Sequence, residues 1–191
     1  MDTTRRFFGL TLAAGAASCA TAEARVAAVV PSDQVSYLAA ALAPLNRFVG
    51  SWRGTGSGEP GDSRVTRNYD PVLGGKFLEE RNISTYAPQA ANPQGETHFH
   101  RGFWSFDRSR SRIIFRQFHL EGFVNQYVAT TADFENDVFV LETEAIENIP
   151  PGFRARETYR FSGADAFEET FEIAEPGAAF ALYSRNRLTR V

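Results

Sequence analysis

The chain has 191 residues, with 23 acidic and 20 basic side chains and a formal net charge of −3. This length suits one domain or at most two small ones, and a composition that is 43% hydrophobic and 13% aromatic supports one core, which excludes wholesale disorder. Only Lys76 among the basic residues is a lysine and no basic tract occurs, which excludes a nucleic-acid partner held by clustered positive charge.

The first 24 residues read as an address. Arg5-Arg6 stands directly before an apolar stretch from Phe7 to about Ala17, and Ala20-Thr21-Ala22 and Ala22-Glu23-Ala24 both fit a small-residue cleavage site. This order is that of a twin-arginine export signal, so the expected location is the periplasm. The apolar run is shorter than the ~20 residues a membrane span needs, and no other segment is long enough. Cys19 is the single cysteine, so no disulfide within the chain can form. It follows Ala16-Ala17-Ser18, a degenerate lipobox. Cys19 is therefore a candidate lipid anchor, against simple loss with the signal. Cleavage after Ala24 removes Asp2, Arg5, Arg6 and Glu23 and leaves the net charge at −3.

Residues 25–34 carry no periodic pattern and read as a linker ahead of a single domain over 35–191. Tyr37, Leu38, Ala41, Leu42 and Leu45 recur at helical steps behind a Ser32-Asp33 cap, which predicts a short helix interrupted at Pro44. From there the period is two. Strands are expected at Trp52–Ser57, Arg64–Tyr69, Lys76–Thr85, Glu96–Phe106, Arg112–Leu120, Phe123–Thr131, Val138–Glu144, Arg154–Phe161, Ala166–Ile173 and Phe180–Arg190. Turn-rich separators such as Gly74-Gly75 and Pro150-Pro151-Gly152 divide them. Hairpin-length loops leave no room for parallel crossovers, and the alternation of apolar and polar positions favours closure. The fold class is thus all-β: an antiparallel up-and-down barrel of about ten strands, calycin-like, with a short N-terminal helix.

Gly50-Ser51-Trp52-Arg53-Gly54-Thr55-Gly56 opens the first strand just after the helix. It resembles the G-x-W-x-G-x-G start of the nitrobindins, the heme-binding β-barrel family of calycins. Leu73-Gly74-Gly75-Lys76-Phe77-Leu78-Glu79-Glu80 is similar to the turn and third strand of a related bacterial domain family of unknown function, and Gly102-Phe103-Trp104 matches the G-F-W of the middle strands. The likeness covers about residues 45–190. It implies that a basic residue of the last strand packs across Trp52, for which Arg185 or Arg187 would serve, and that all three are structural. It also implies heme, held by a histidine of the final strand. That strand contains none, and Tyr183 stands near the matching position as an alternative iron ligand.

His98 and His100 share one face of a strand, and His119 on the next strand falls opposite one or the other according to register. Such a group can line a polar patch, contact a ligand or hold a metal. The expectation here is no metal. Gln117, His119, Glu121, Asn125 and Tyr127 share parity with Ile113, Phe115 and Phe123 across a tight turn at Glu121-Gly122. Gln117, His119, Asn125 and Tyr127 are therefore expected to point inward and anchor the polar end of a small apolar guest. The glutamates Glu142, Glu144, Glu147, Glu157, Glu168, Glu169 and Glu172 read as a solvated exterior. No nucleophile motif, phosphate loop or dinucleotide fingerprint occurs. Three functions follow: an exported, non-catalytic carrier or sensor of an apolar molecule with no cofactor; a heme or heme–NO protein; and a small barrel isomerase or hydrolase using His119 with Glu121 or Tyr127. The sequence does not set the oligomeric state.

Overall fold

The computed structural model describes residues 36–191 apart from 134–136. Arg5, Arg6, Cys19, the 25–34 linker and the Ser32-Asp33 cap lie outside the described residues. Ten strands follow one short helix: β1 Gly50–Gly58, β2 Ser63–Val72, β3 Phe77–Tyr86, β4 Glu96–Asp107, β5 Arg112–His119, β6 Val124–Asp133, β7 Val138–Glu147, β8 Arg154–Phe161, β9 Ala166–Ala174 and β10 Ala181–Arg190. Each pairs antiparallel with its neighbours in sequence, and β1 pairs with β10 to close the barrel. The up-and-down barrel expected from the alternation is the observed fold. Closure leaves no unpaired edge to manage.

The helix is 3-10 rather than α, spanning Ala40–Arg47 with Pro44 inside it. Proline lacks the donor that the α ladder needs at that place, so a tighter local turn carries the chain instead. Leu42 and Leu45 are buried beneath it, and Phe48, the next residue, enters one end of the barrel. There its ring touches six others, from Phe161 at 4.8 Å to Phe167 at 5.7 Å. Fully burying one such ring stabilises by about 1.5–3 kcal/mol, and edge-to-face pairs add to that. Trp104 stacks on Phe115 at 4.1 Å. Gly102 makes this stack fit, since a Cβ there would come within 2.4 Å of the Phe115 ring. The phenylalanine-rich interior is therefore a packed plug at one end and not a ligand chamber.

Trp52 lies in this plug, with its indole N–H donating to the Phe48 carbonyl at 2.6 Å. The cation across its face is Arg190, 4.2 Å from the ring centroid, and not Arg185 or Arg187. Register decides the matter: Trp52 pairs with Arg190, while Arg187 and Arg185 oppose Thr55 and Ser57 farther along the strand. Those two arginines reach Glu168 on the outer face instead, at 3.0 and 3.4 Å. Arg190 also donates to the Arg47 carbonyl, so the last strand clamps the end of the helix. The same close packing of β1 on β10 explains Gly54, whose missing Cβ would sit 1.7 Å from the Arg187 carbonyl oxygen.

Candidate functional site

Above the aromatic plug runs a belt of buried polar side chains. Arg67 on β2 is at its centre, 1% exposed, 2.6 Å from Glu169 on β9 and 3.4 Å from Glu80 on β3. Its guanidinium also donates to Asn82 at 2.9 Å and Tyr69 at 3.3 Å. Tyr159 donates to Glu157 on β8 at 2.6 Å. Burial alone would push the Glu80 carboxyl up, but Arg67 and a hydrogen bond from His100 outweigh it and hold the group below its usual value. At Glu157 the hydrogen bond from Tyr159 and the charge of Arg67 are outweighed. Burial, then Glu169 and Glu80, raise it to about 8.

Glu157 and Glu169 are thus corrections to the solvated-exterior reading, being 3% and 4% exposed. They share parity with Tyr159, Phe161, Phe167 and Phe171, and that parity faces the lumen. A carboxylate placed there is affordable only because Arg67 and hydrogen bonds meet it. Glu168 and Glu172, on the other parity, do pair with arginines outside.

The belt forms the floor of two adjoining hollows at the open end. The first is a polar well of about 270 Å³, walled by Arg67, Asn82, His98, His100, Gln117, His119, Glu157, Glu169 and Asn186. The second is an apolar slot of about 350 Å³ between Ile146, Ile149, Pro150, Phe153, Phe171 and Ile173. Phe123, Phe171 and Tyr183 line both. Tyr183 reaches this position because the β9–β10 register shifts between Leu182 and Ser184, which turns the extra residue toward the mouth.

The four residues expected to point inward do so, though not to a common place. Gln117 and His119 line the well, and Asn125 lines the slot. Tyr127 lies beneath them, fully buried, and accepts from the Asn125 amide at 3.0 Å. The hollow nearest His119 is lined by charged and polar side chains together with Phe123, Phe171 and Tyr183.

His100 pairs with His119 across β4 and β5, and the three imidazoles converge, with ring centroids 5.1–5.9 Å apart. His98 Nδ1 lies 2.7 Å from Glu121, and His100 Nε2 lies 2.9 Å from Glu80. Glu121 therefore serves His98 and does not tune His119. Burial, with His100 and His98 nearby, lowers His119 to about 2, so it is neutral and weakly basic.

A family model for the THAP4-like, heme-binding β-barrel domain matches residues 41–190. The chain belongs to this family. Among solved structures, protein Rv2717c from M. tuberculosis is 20% identical, with a TM-score of 0.61 over 81% of this chain and 99% of that one. At that identity the likeness shows the barrel fold. A redesigned β-barrel (10% identical, 78% of this chain and 95% of that one, TM-score 0.41) and EF1p2_mFAP2b bound to DFHBI (9%, 78% and 97%, TM-score 0.39) are too distant to bear on the site. No curated protein matches the chain in sequence. The THAP4-like barrel is a ligand-binding fold, and the open end supplies the cavities for it here.

Heme, the ligand in the family's description, needs an axial donor facing an apolar space as wide as the macrocycle. The last strand brings Tyr183, Ser184 and Asn186 to the well and no imidazole. The histidines stand across the barrel on β4 and β5, facing a well that holds Arg67, Glu157 and Glu169. These residues do not fit heme, and Tyr183 as its ligand would stand at the rim beside Phe171.

Proposed function

We propose that the protein is an exported, non-catalytic carrier or sensor of a small amphiphilic molecule, held at the open end of the barrel. The observation that carries this reading is the abutment of the two hollows. An apolar body fits the slot of Ile146, Ile149, Phe153 and Ile173, and a polar end reaches Gln117, His119 and Asn125. Sites for small molecules combine just such apolar walls with a few convergent polar groups. The plugged opposite end gives the ligand one entrance. Arg5-Arg6 and the cleavage sites behind them support export, and Cys19 adds a lipid anchor as the alternative fate of the mature end. No helix among the described residues is long and apolar enough to cross a membrane.

One experiment tests both halves. Native mass spectrometry of the full chain, expressed with its own leader and purified from periplasm without refolding, should show a processed chain carrying one small-molecule adduct. The variant with Lys at positions 5 and 6 should remain unprocessed in the cytoplasm. Normal processing of that variant would overturn the export reading. A bare chain that also takes up no amphiphile from membrane extract would overturn the carrier reading.

A further inference from the structure

The three histidines carry more than ligand contacts. His98, His100 and His119 each offer one ring nitrogen to a common point, these atoms lying within 4.8 Å of one another. One nitrogen of His98 faces Glu121 and one of His100 faces Glu80, while His119 Nε2 lies 3.4 Å from the Asn125 amide nitrogen. Histidines that bind metals are held as His98 and His100 are, with a carboxylate behind the ring to accept its other N–H and fix its orientation and tautomer.

A purely structural histidine cluster should spend its buried nitrogens on partners. This one does not. His100 Nδ1 and His119 Nδ1 are buried and bonded to nothing, and both belong to rings of the convergent group. Three neutral imidazoles suit Zn²⁺, Cu²⁺ or Ni²⁺ and not Mg²⁺ or Ca²⁺, which take oxygen ligands. Tetrahedral coordination at 2.0–2.1 Å sets nitrogen separations of roughly 3.3 Å, so the rings must draw in by an ångström or so. His98, partly exposed at the rim beside the half-exposed Glu121, has the room to turn. The carboxylates of Glu80 and Glu121 behind the rings supply negative charge that favours a cation.

We propose that His98, His100 and His119 bind one divalent transition-metal ion of the zinc class, with a fourth coordination position open to the well. Three protein ligands and an open position leave the ion able to hold water or the polar end of a guest. The proposal goes beyond the carrier reading and stands without it, because the ion needs only β4, β5 and their backing groups.

The test uses the full chain, stripped with a chelator and desalted. Titration with Co²⁺, which replaces zinc and absorbs visible light in a low-coordinate nitrogen site, should saturate at one ion per chain, and Zn²⁺ should abolish the band. His98→Ala and His119→Gln should each weaken binding by roughly a hundredfold or more, and Glu121→Gln by about 10–100-fold with urea stability unchanged. His98 and Glu121 lie at the rim, so their variants remain readable even if changes at buried His100 prevent folding. No visible band together with no retained Zn²⁺, or parental affinity in His98→Ala, would overturn the proposal. Binding of an apolar fluorescent probe to the stripped protein reports on the slot separately, so the two readings fail independently.

Discussion

Arg67→Met is expected to destabilise the barrel by about 3–5 kcal/mol, the loss that follows when one partner of a buried ion pair is removed and the other is left uncompensated. Two carboxylates depend on this one guanidinium: Glu169 at 2.6 Å and Glu80 at 3.4 Å. Methionine fills most of the volume, so the loss reports charge and not a cavity. The pH dependence has a defined sign. Glu80 is held below its ordinary value in the fold, so its contribution is present above that value and fades as pH falls. Without Arg67, burial pushes the same carboxyl upward, and the variant suffers most where carboxylates ionise. Urea unfolding at pH 7 and pH 5 should therefore show a gap between parent and variant that narrows at the lower pH. A variant within ~1 kcal/mol of the parent at pH 7 would mean the belt is hydrated.

Trp52→Ala is expected to cost about 3–5 kcal/mol, as for other fully buried large aromatics. The indole is lost from contact with Phe167 at 4.8 Å and from beneath Arg190 at 4.2 Å, and the Phe48 carbonyl loses its donor. Arg190→Ala should cost less, because the cation over an indole is worth about 0.5–2 kcal/mol and its backbone contacts are partly exposed. Arg185→Ala and Arg187→Ala, on the outer face, should stay within ~0.5 kcal/mol of the parent. Equal losses at Arg187 and Arg190 would contradict the register that pairs Trp52 with Arg190.

The barrel was legible because alternation and turn residues repeat ten times over, and each strand needs only its neighbour to be placed. The inward parity of Gln117, His119, Asn125 and Tyr127 was legible for the same reason, since Ile113 and Phe115 lie on it. Glu157 and Glu169 share parity with Tyr159 and Phe167, so the signal for buried carboxylates was present. Charge points outward and parity inward at these two positions, and the compensating Arg67 sits some ninety residues from Glu157 across the barrel, where no local pattern reaches. Arg67 itself shares parity with Val65 and Tyr69, which marks its face as the inner one. Tyr183 could not be placed by counting, because a one-residue bulge resets the parity of β10 before Ser184. Arg190 was missed for a register that only the β1–β10 closure sets. That the aromatic residues would segregate into a plug, and leave a polar well above them, depends on which end the 3-10 helix enters.

A titration with 1-anilinonaphthalene-8-sulfonate, which joins an apolar ring system to an anionic group, addresses the open end most directly. Parent protein should bind one equivalent with enhanced emission, and Phe153→Asp should weaken binding at least ~10-fold by placing an unpaired charge in the slot. Phe118→Ser should leave it unchanged, because Phe118 belongs to an outer apolar patch with Phe99 and Ile83. Hemin added to the same samples should give no Soret band that depends on Tyr183 or a histidine. Parental affinity in Phe153→Asp with loss in Phe118→Ser, or a ligated Soret band abolished by Tyr183→Phe, would contradict an amphiphile site at the open end of the barrel.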